Sequence, residues 1–484
     1  MKKMSLPQLR LPATPLAQLL MLCFAGLVLR AATFGDPNIY VDESFYLLVG
    51  HEMREGALLY VDIWDRKPPG IFLLYRIFAG FGDGVVAYQL GAWLSASLTA
   101  FFIARMASRW TGPGPAILAG ITYLATANVL LGLGGQTPVF YNSLVAGAAL
   151  LLFRYPDDKR DLRLYAAMLL LGIALTFKQP VLFEAGFFGL LAFFAHRNLS
   201  KAAISIALGI LPWGLIAAFY VLHGHWDALW QAMVTANLHR PMLPSDTIAH
   251  NAGLFIAETC VLLGVALYAF LFRRETFPAR IVGLWILAAA AGFLSVPFFI
   301  EHYALPLLVP LCVAASATYA RPRLGPGLAL FAIAIAVMLS GSLDFARHRQ
   351  SARAFDAMID AIGPLGPTDR LLVYDGPPMA YHAAGTRPMS PLAFPGHIDN
   401  RFEKDVSAIP TVPELNRLIA AGPFAVIMTA EPVEPPDMQA FLALRAYVRS
   451  QCARRTRVTL LGTFGNKVEH IVYSQCAKAA VRPG

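Results

Sequence analysis

The stretch VDESFYLLVGHEMREGALLYVDIWDRKPPG, residues 41–70, lies between the first two apolar segments of the chain. An adjacent acid pair, Asp42-Glu43, stands near its start, and the charged run Asp65-Arg66-Lys67 precedes two prolines at its end. The apolar segments elsewhere carry almost no charge. Because ionisable groups are costly at a membrane and are kept there for a purpose, this loop is the first place to look for chemistry.

The composition indicates a polytopic α-helical membrane protein. Of the 484 residues, 57% are hydrophobic and 14% are charged, with a mean hydropathy of +0.55, whereas roughly a quarter of the residues in soluble domains are charged. The net charge of +9 would favour a nucleic-acid partner in a soluble chain. Here the basic residues lie in loops between apolar segments, so we expect contact with membrane lipids and none with nucleic acid.

The apolar segments predict the number of membrane spans. About 20 apolar residues are needed to cross the hydrocarbon core as a helix. On that criterion we expect about 11 transmembrane helices, starting near residues 15, 84, 114, 138, 164, 181, 203, 252, 281, 303 and 327.

The loops between these segments predict the orientation. Every second connection is basic, for example Lys2 and Lys3 before the first segment and Arg105 and Arg109 after the second. Basic loops stay in the cytoplasm. We therefore expect a multi-pass protein with a cytoplasmic N-terminus, an outward loop at residues 36–70 and, after an odd number of spans, an outward C-terminal part; in a bacterium this would be an inner-membrane protein with a periplasmic C-terminal part.

The composition changes after the last apolar segment. Two short apolar runs, residues 370–374 and 424–428, are typical of buried strands, and residues 413–421 and 438–450 have helical patterns. These features predict a small α/β domain at residues 346–484, following a transmembrane domain at residues 1–345. Cys452 and Cys476 fall in this domain, where an oxidising compartment permits a disulfide, but their spacing alone leaves that bond open.

The outward loop at residues 33–82 is expected to contain interfacial helices. Residues 43–55 have helical spacing, and Gly56 follows where a helix would end. Residues 70–82 are apolar but too short to cross a membrane, which favours a second interfacial or re-entrant piece. Between them, Pro68 restricts the backbone of Lys67 to an extended conformation, so the Lys67 ammonium is aimed in one direction.

Four motifs follow one another along the chain at the predicted outward face. They are the acid pair Asp42-Glu43 after the first span, Trp64-Asp65-Arg66-Lys67-Pro68-Pro69-Gly70, the turn Thr176-Phe177-Lys178-Gln179, and His302-Tyr303 followed by Pro306 and Pro310. In this order they resemble the GT-C membrane glycosyltransferases, and within these the chain is most similar to the bacterial group of protein O-mannosyltransferases, lipid A aminoarabinose transferases and rhizobial lipopolysaccharide galacturonosyltransferases. The resemblance covers about residues 10–345.

The resemblance implies a reaction as well as a GT-C-like fold. Members of this family transfer a sugar from a polyprenyl phosphate donor to an acceptor at the outer membrane face, with inversion at the anomeric carbon. By position, Asp42 would be the catalytic base, Lys67 would contact the donor phosphate, and Lys178, His302 and Tyr303 would be further phosphate or sugar contacts. Relatives often carry an acid in the second outward turn, where this chain has Gly135-Gln136-Thr137, so no second acid is expected from that turn.

Elementary chemistry supports the same roles. A departing phosphate gains negative charge in the transition state, so a fixed cation such as Lys67 stabilises that state selectively. An acceptor hydroxyl is a weak nucleophile until a carboxylate takes its proton, and Asp42 or Glu43 could do this. The outer domain, by its position, would cover the site and help choose the acceptor.

Each of these residues also has a structural interpretation. Asp42 could be the N-cap of the helix that follows it, and Glu43 could pair with a nearby base. Lys67 and Lys178 could extend to lipid headgroups. Two further residues complete the list of alternatives: Glu184 could serve only to neutralise Lys178, and His302 could be an ordinary interfacial histidine.

The sequence also bears on the choice of donor, on metal binding and on alternative classes of function. It has no Gly-rich phosphate loop with an acidic partner, so a nucleotide-sugar donor is not expected. Asp42, Asp62 and Asp65 could bind a divalent cation, but no metal or cofactor is required by their spacing. A transporter or flippase, which would predict internal repeats, and a lipid-sugar receptor without turnover are the alternative classes. The acceptor stays open among lipopolysaccharide, lipid A, another envelope glycan and protein.

Overall fold

The computed structural model describes residues 14–158, 161–239, 241–296, 298–432, 435–461 and 466–477. The N-terminal residues Lys2 and Lys3, on which the predicted cytoplasmic N-terminus partly depends, lie outside these ranges.

A helix lies at each predicted span position. Seven helical stretches in the described part are long and apolar enough to cross a membrane, while the remaining four helices have 15–17 residues. The chain therefore has the helices of a multi-pass membrane protein, and the number of crossings stays a prediction. The helices are Pro15–Arg30, Val85–Thr111, Pro113–Val129, Thr137–Asp158, Asp161–Leu175, Val181–His196, Leu199–Leu222, Ser245–Phe272, Ala279–Leu294, Leu305–Tyr319 and Gly325–Ser340.

These helices differ in how much of their apolar surface the protein itself covers. In the most apolar window of the Glu301–Tyr319 stretch 94% of the residues are buried, against 6% for Leu199–Leu222. Large apolar side chains left uncovered on a helix require an apolar solvent. The Leu199–Leu222 helix therefore has the surface of a lipid-exposed helix, whereas Glu301–Tyr319 is packed among its neighbours.

The chain divides into two compact units. The first comprises Met1–Ala31, Gly91–Pro212 and Ser245–Leu343, and the second comprises Ala32–Leu90, Trp213–Pro244 and Asp344–Gly484.

In the first unit, buried polar groups bind backbone carbonyls. Arg30, only 2% exposed at the end of the first helix, donates to the carbonyls of Leu133 and Gly134 at 2.7 and 3.0 Å. Asn142 donates to the Leu305 carbonyl at 3.1 Å. A buried guanidinium needs such partners, so Arg30 fixes the backbone of the turn that precedes the Thr137–Asp158 helix.

In the second unit, the outward loop forms two helices, Val41–Arg54 and Pro69–Phe78. Both predicted interfacial helices are therefore present, although the membrane interface itself is not tested. The first helix begins two residues earlier than predicted, with Tyr40 at the cap position, and so Asp42 lies inside its first turn. The interpretation of Asp42 as an N-cap is wrong. The second helix begins at Pro69, because a proline at the first helical position loses no hydrogen bond.

The C-terminal segment forms a four-stranded mixed sheet with order β1-β2-β4-β3. The strands are β1 Leu371–Val373, β2 Ala425–Thr429, β3 Cys452–Leu461 and β4 Lys467–Cys476. β1 and β2 pair in parallel and the other pairs are antiparallel. The other described α-helices of this unit are Trp226–Trp230, Ala236–Leu238, Phe345–Ile362, Ala380–Ala383, Gly396–Asp399, Thr411–Ala420 and Met438–Gln451, and a π-helical turn, Gln231–Thr235, joins the first two. The predicted α/β segment is thus confirmed, with two further strands.

A disulfide joins the neighbouring strands β3 and β4. Cys452 in β3 and Cys476 in β4 lie directly opposite each other and are bonded. The bond that the sequence left open is therefore present.

The loop helices pack on the C-terminal segment within this second unit. His348 Nδ1 lies 2.8 Å from Asp36 Oδ2, and Asn38 donates to the Leu461 carbonyl at 3.1 Å. Ser44 Oγ, one turn into the Val41–Arg54 helix, accepts a hydrogen bond from Met379 N at 3.0 Å. Residues 36–44 of the loop therefore pack against the C-terminal segment within this unit.

Candidate active site

Lys67 and Asp42 form an ion pair. Lys67 Nζ lies 3.1 Å from Asp42 Oδ1 and 3.5 Å from Asp65 Oδ2. Asp42 reaches this point from the first turn of the Val41–Arg54 helix, and Lys67 from the segment just before the Pro69–Phe78 helix. The side chains of Lys67 and Asp42 are 19% and 18% exposed, while Asp65 is 1% exposed. The ammonium is therefore shielded but can still be reached.

The backbone of Lys67 is held on both sides. Its N–H donates to Asp65 Oδ1 at 2.6 Å, and its carbonyl accepts from the Tyr60 hydroxyl at 2.7 Å. Pro68 adopts an extended backbone with ψ 154° before the helix begins. Asp65 thus binds both the backbone and the ammonium of Lys67. This role of Asp65 was not predicted, although the spacing Asp-x-Lys is suited to such a turn.

Aromatic rings complete the surroundings of the ammonium. Lys67 Nζ lies 5.2 Å from the Tyr46 ring centroid and 5.4 Å from that of Phe394, within the range of cation–π attraction. Burial alone would lower the pKa of the Lys67 ammonium. The carboxylates of Asp42 and Asp65 outweigh that effect and hold the pKa well above its usual value. Lys67 is therefore a permanent cation at neutral pH.

Glu43 lies in a different environment from Asp42. It is fully buried, with the Tyr75 and Tyr88 side chains nearby. Successive helical residues point about 100° apart, so Glu43 faces the packing between loop helices while Asp42 faces Lys67. This position favours a structural role for Glu43.

Three predicted contact residues lie together in the first unit. Lys178 Nζ is 3.6 Å from the Tyr303 ring centroid, and the Tyr303 and His302 rings are 4.4 Å apart. Lys178, Tyr303 and Glu184 line one small cavity. The Glu184 carboxylate accepts a hydrogen bond from Trp285 Nε1 at 2.7 Å. The motifs around residues 178 and 302 therefore converge, as the Asp42 and Lys67 motifs do in the second unit.

The three loop carboxylates that could bind a divalent cation each have a partner in the protein. The Asp62 carboxylate accepts a hydrogen bond from Leu58 N at 2.7 Å, while Asp42 and Asp65 share the Lys67 ammonium. In the part of the chain that the structure describes, no group of three or more His, Cys, Asp or Glu residues is arranged to hold a metal ion.

The Asp42–Lys67 arrangement can perform two chemical tasks. A phosphate that approaches Lys67 competes with the two carboxylates for the same ammonium. If Lys67 turns to the phosphate, the Asp42 carboxylate loses its counter-ion and becomes a better proton acceptor. One ion pair therefore contains both an anion-binding group and a base.

Comparisons with known proteins identify solved structures with a similar fold. Neither a family model nor a curated protein sequence matches the chain. Crystal structures of ArnT from Cupriavidus metallidurans, bound to undecaprenyl phosphate and in the apo state, match with TM-scores of 0.64 and 0.63 at 14% identity. Each match covers 96% of this chain and 99% or 98% of that one. The Archaeoglobus fulgidus oligosaccharyltransferase in its apo form has a TM-score of 0.48 at 11% identity, over 86% of this chain and 69% of that one.

ArnT is a lipid A aminoarabinose transferase and a member of the GT-C superfamily. The similarity extends over nearly the whole of both chains. The chain thus has the fold of ArnT, and the resemblance to the GT-C membrane glycosyltransferases that its motifs predict is confirmed at the level of the fold.

Proposed function

We propose that this protein is an inverting glycosyltransferase that moves a hexosyl or pentosyl group from a polyprenyl phosphate to an acceptor of the cell envelope. The observation that carries the proposal is the shielded Lys67 ammonium, which lies 3.1 Å from the Asp42 carboxylate on a chain with the ArnT fold. The ArnT structure with undecaprenyl phosphate supports a polyprenyl carrier as the donor.

In the proposed reaction, Lys67 binds the donor phosphate. The bond between the anomeric carbon and the phosphate oxygen breaks, and the electron pair stays on the phosphate. Because this negative charge grows in the transition state, the Lys67 ammonium stabilises the transition state more than the bound donor. Lys178 and Tyr303 are proposed as additional contacts to phosphate or sugar, together with His302.

Asp42 is the proposed base. The acceptor oxygen forms the new bond to the anomeric carbon on the face opposite the departing phosphate, and its proton passes to the Asp42 carboxylate. Inversion follows from this single displacement. Because Lys67 neutralises Asp42 until a phosphate draws the ammonium away, donor binding would precede activation of the acceptor.

We place this reaction at the periplasmic face of a bacterial inner membrane, with the domain at residues 346–484 covering the site and helping to choose the acceptor. The alternating basic connections support the orientation. Lipopolysaccharide, lipid A, another envelope glycan and protein are the acceptor classes to distinguish.

The proposal is tested in two steps. Mass spectrometry of envelope glycolipids and glycoproteins from a deletion strain should show one species that lacks a sugar and that regains it on complementation. The purified protein in lipid nanodiscs should then transfer that sugar from its polyprenyl phosphate to the deficient species. An unchanged envelope together with no transfer from any polyprenyl phosphate sugar would refute the proposal.

A further inference from the structure

Residues 391–403 of the C-terminal segment contact the Lys67 loop at several points. We call Pro391, Phe394, His397 and Glu403 the clamp. Trp64 N donates to the Pro391 carbonyl at 2.9 Å, and the Trp64 ring packs edge-on to His397 with ring centroids 4.6 Å apart. Trp64 is 5% exposed and belongs to the hydrophobic core of the C-terminal sheet. The loop is thus anchored three residues before Lys67.

The clamp also binds the residue directly before Lys67. Arg66 and Glu403 form a bidentate ion pair, with Arg66 Nη2 2.7 Å from Glu403 Oε1 and a second contact between Arg66 Nη1 and Glu403 Oε2. The two side chains are 17% and 8% exposed. Parallel hydrogen bonds between a guanidinium and a carboxylate fix direction as well as distance. The pair therefore attaches the residue directly before Lys67 to the C-terminal segment.

The remaining clamp residues, Phe394 and His397, contact the elements that carry Asp42 and Lys67. The Phe394 ring centroid is 5.4 Å from Lys67 Nζ and 5.2 Å from the ring of Phe45, which belongs to the same helix as Asp42. His397 is 5% exposed, and its ring packs edge-on to Phe45 at 6.2 Å. The helix that carries Asp42 and the segment that carries Lys67 thus meet the same short stretch of the C-terminal segment.

We propose that Phe394, His397 and Glu403 are positioning residues of the transfer reaction, which set the place of the Lys67 ammonium relative to Asp42. The inference rests on the proposed role of Lys67 at the donor phosphate. It gives the C-terminal segment a part in the chemical step, in addition to the covering role proposed above. A displacement of about 1 Å at a catalytic group can cost about a hundredfold in rate.

The test compares two matched substitutions in the full-length protein. Glu403→Gln removes the charge opposite Arg66. Glu469→Gln removes the charge of an exposed Arg457–Glu469 pair, 3.3 Å apart across strands β3 and β4, and leaves the clamp intact. We expect kcat to fall about tenfold or more with Glu403→Gln, with KM for the acceptor unchanged, and to stay at the wild-type value with Glu469→Gln. Arg66→Gln should cost as much as Glu403→Gln, and the double variant should cost no more than either.

A second readout needs no substrate. Hydrogen exchange of the backbone amides of residues 60–70, measured by mass spectrometry, should be faster in Glu403→Gln than in the wild type and unchanged in Glu469→Gln. If the wild type transfers sugar while Glu403→Gln matches Glu469→Gln in exchange or in kcat, the inference is overturned. If the wild type transfers nothing from any polyprenyl phosphate sugar, the proposed function fails instead, whatever the exchange shows.

Discussion

Lys67 and Asp42 are 25 positions apart in sequence, and their side chains meet at 3.1 Å at the junction of two loop helices. Asp65 holds the ammonium from the other side at 3.5 Å and is itself almost completely buried. A cation with two carboxylates as neighbours stays charged at every physiological pH. The donor phosphate would therefore meet a positive charge that needs no proton from solution.

Replacement of Asp42 by Asn should abolish turnover and preserve donor binding. The amide has the shape of the carboxylate but cannot take the acceptor proton, so we expect the transfer rate to fall about a hundredfold or more. Binding of the polyprenyl phosphate should stay or tighten, since Lys67 loses one competing carboxylate. Asp62→Asn is the control, because Asp62 binds the backbone at Leu58. A variant that loses donor binding, with no loss of rate at saturating donor, would contradict the assignment of Asp42 as the base.

Replacement of Lys67 by Met should weaken donor binding. A hydrogen bond to a charged group contributes roughly 1.5–3 kcal/mol, so the dissociation constant for the polyprenyl phosphate should rise by about ten- to a hundredfold. Lys67→Arg should retain part of the affinity, because it keeps the charge and changes only the geometry. Titration of labelled polyprenyl phosphate measures both. Arg76→Met, which removes an exposed cation from the Pro69–Phe78 helix, should bind normally, and an equal loss there would point to bulk membrane charge.

Acid should destabilise the protein through His397. Burial lowers the pKa of His397 from 6.5 to about 4. Between these two values the unfolded chain takes up a proton that the folded protein does not, so stability falls as the pH drops through this window. His397→Phe should reduce the loss of melting temperature between pH 7 and pH 4.5, by an amount that corresponds to roughly 2 kcal/mol. His239→Phe changes an exposed histidine and should leave the pH dependence as it is.

Loss of the Cys452–Cys476 disulfide should destabilise the C-terminal sheet. The bond closes a loop with a sequence separation of 24 residues, for which the chain-entropy estimate is about 3 kcal/mol. Cys452→Ala combined with Cys476→Ala should therefore lower the melting temperature, and a reducing agent should lower that of the wild type but not that of the double variant. Cys260→Ala removes an exposed cysteine without a disulfide partner and serves as the control. Equal melting temperatures for all variants would show that the bond does not form in the cell.

Chelation of divalent cations should leave the transfer rate unchanged. Lys67 supplies the positive charge at the proposed phosphate site, and its ammonium occupies the space between Asp42 and Asp65 that a metal ion would need. The measurement is the initial rate of sugar transfer before and after EDTA treatment. A rate that falls with EDTA and returns with Mg²⁺ would show that a cation acts beside Lys67.

The helices were predictable because membrane thickness imposes a length on each apolar run. The sequence also indicated Asp42 and Lys67 as candidate site residues, because Pro68 restricts Lys67 and the acid pair follows the first span. Strand β3 was missed because Arg454, Arg455 and Arg457 lie on an exposed edge and leave no apolar run. The Arg66–Glu403 pair joins residues 337 positions apart, and local patterns contain no information about such a contact.

The position of Trp64 inside the core of the C-terminal sheet bears on attempts to alter acceptor range by recombination between relatives. In a hybrid that exchanged only Asp344–Gly484, Trp64 and Arg66 would lie against side chains from a different parent. Loss of activity in such a hybrid would then reflect a misplaced loop and would reveal nothing about recognition. Hybrids that carry Ala32–Leu90, Trp213–Pro244 and Asp344–Gly484 from a single parent keep these contacts native, and they are the ones in which a change of acceptor can be interpreted.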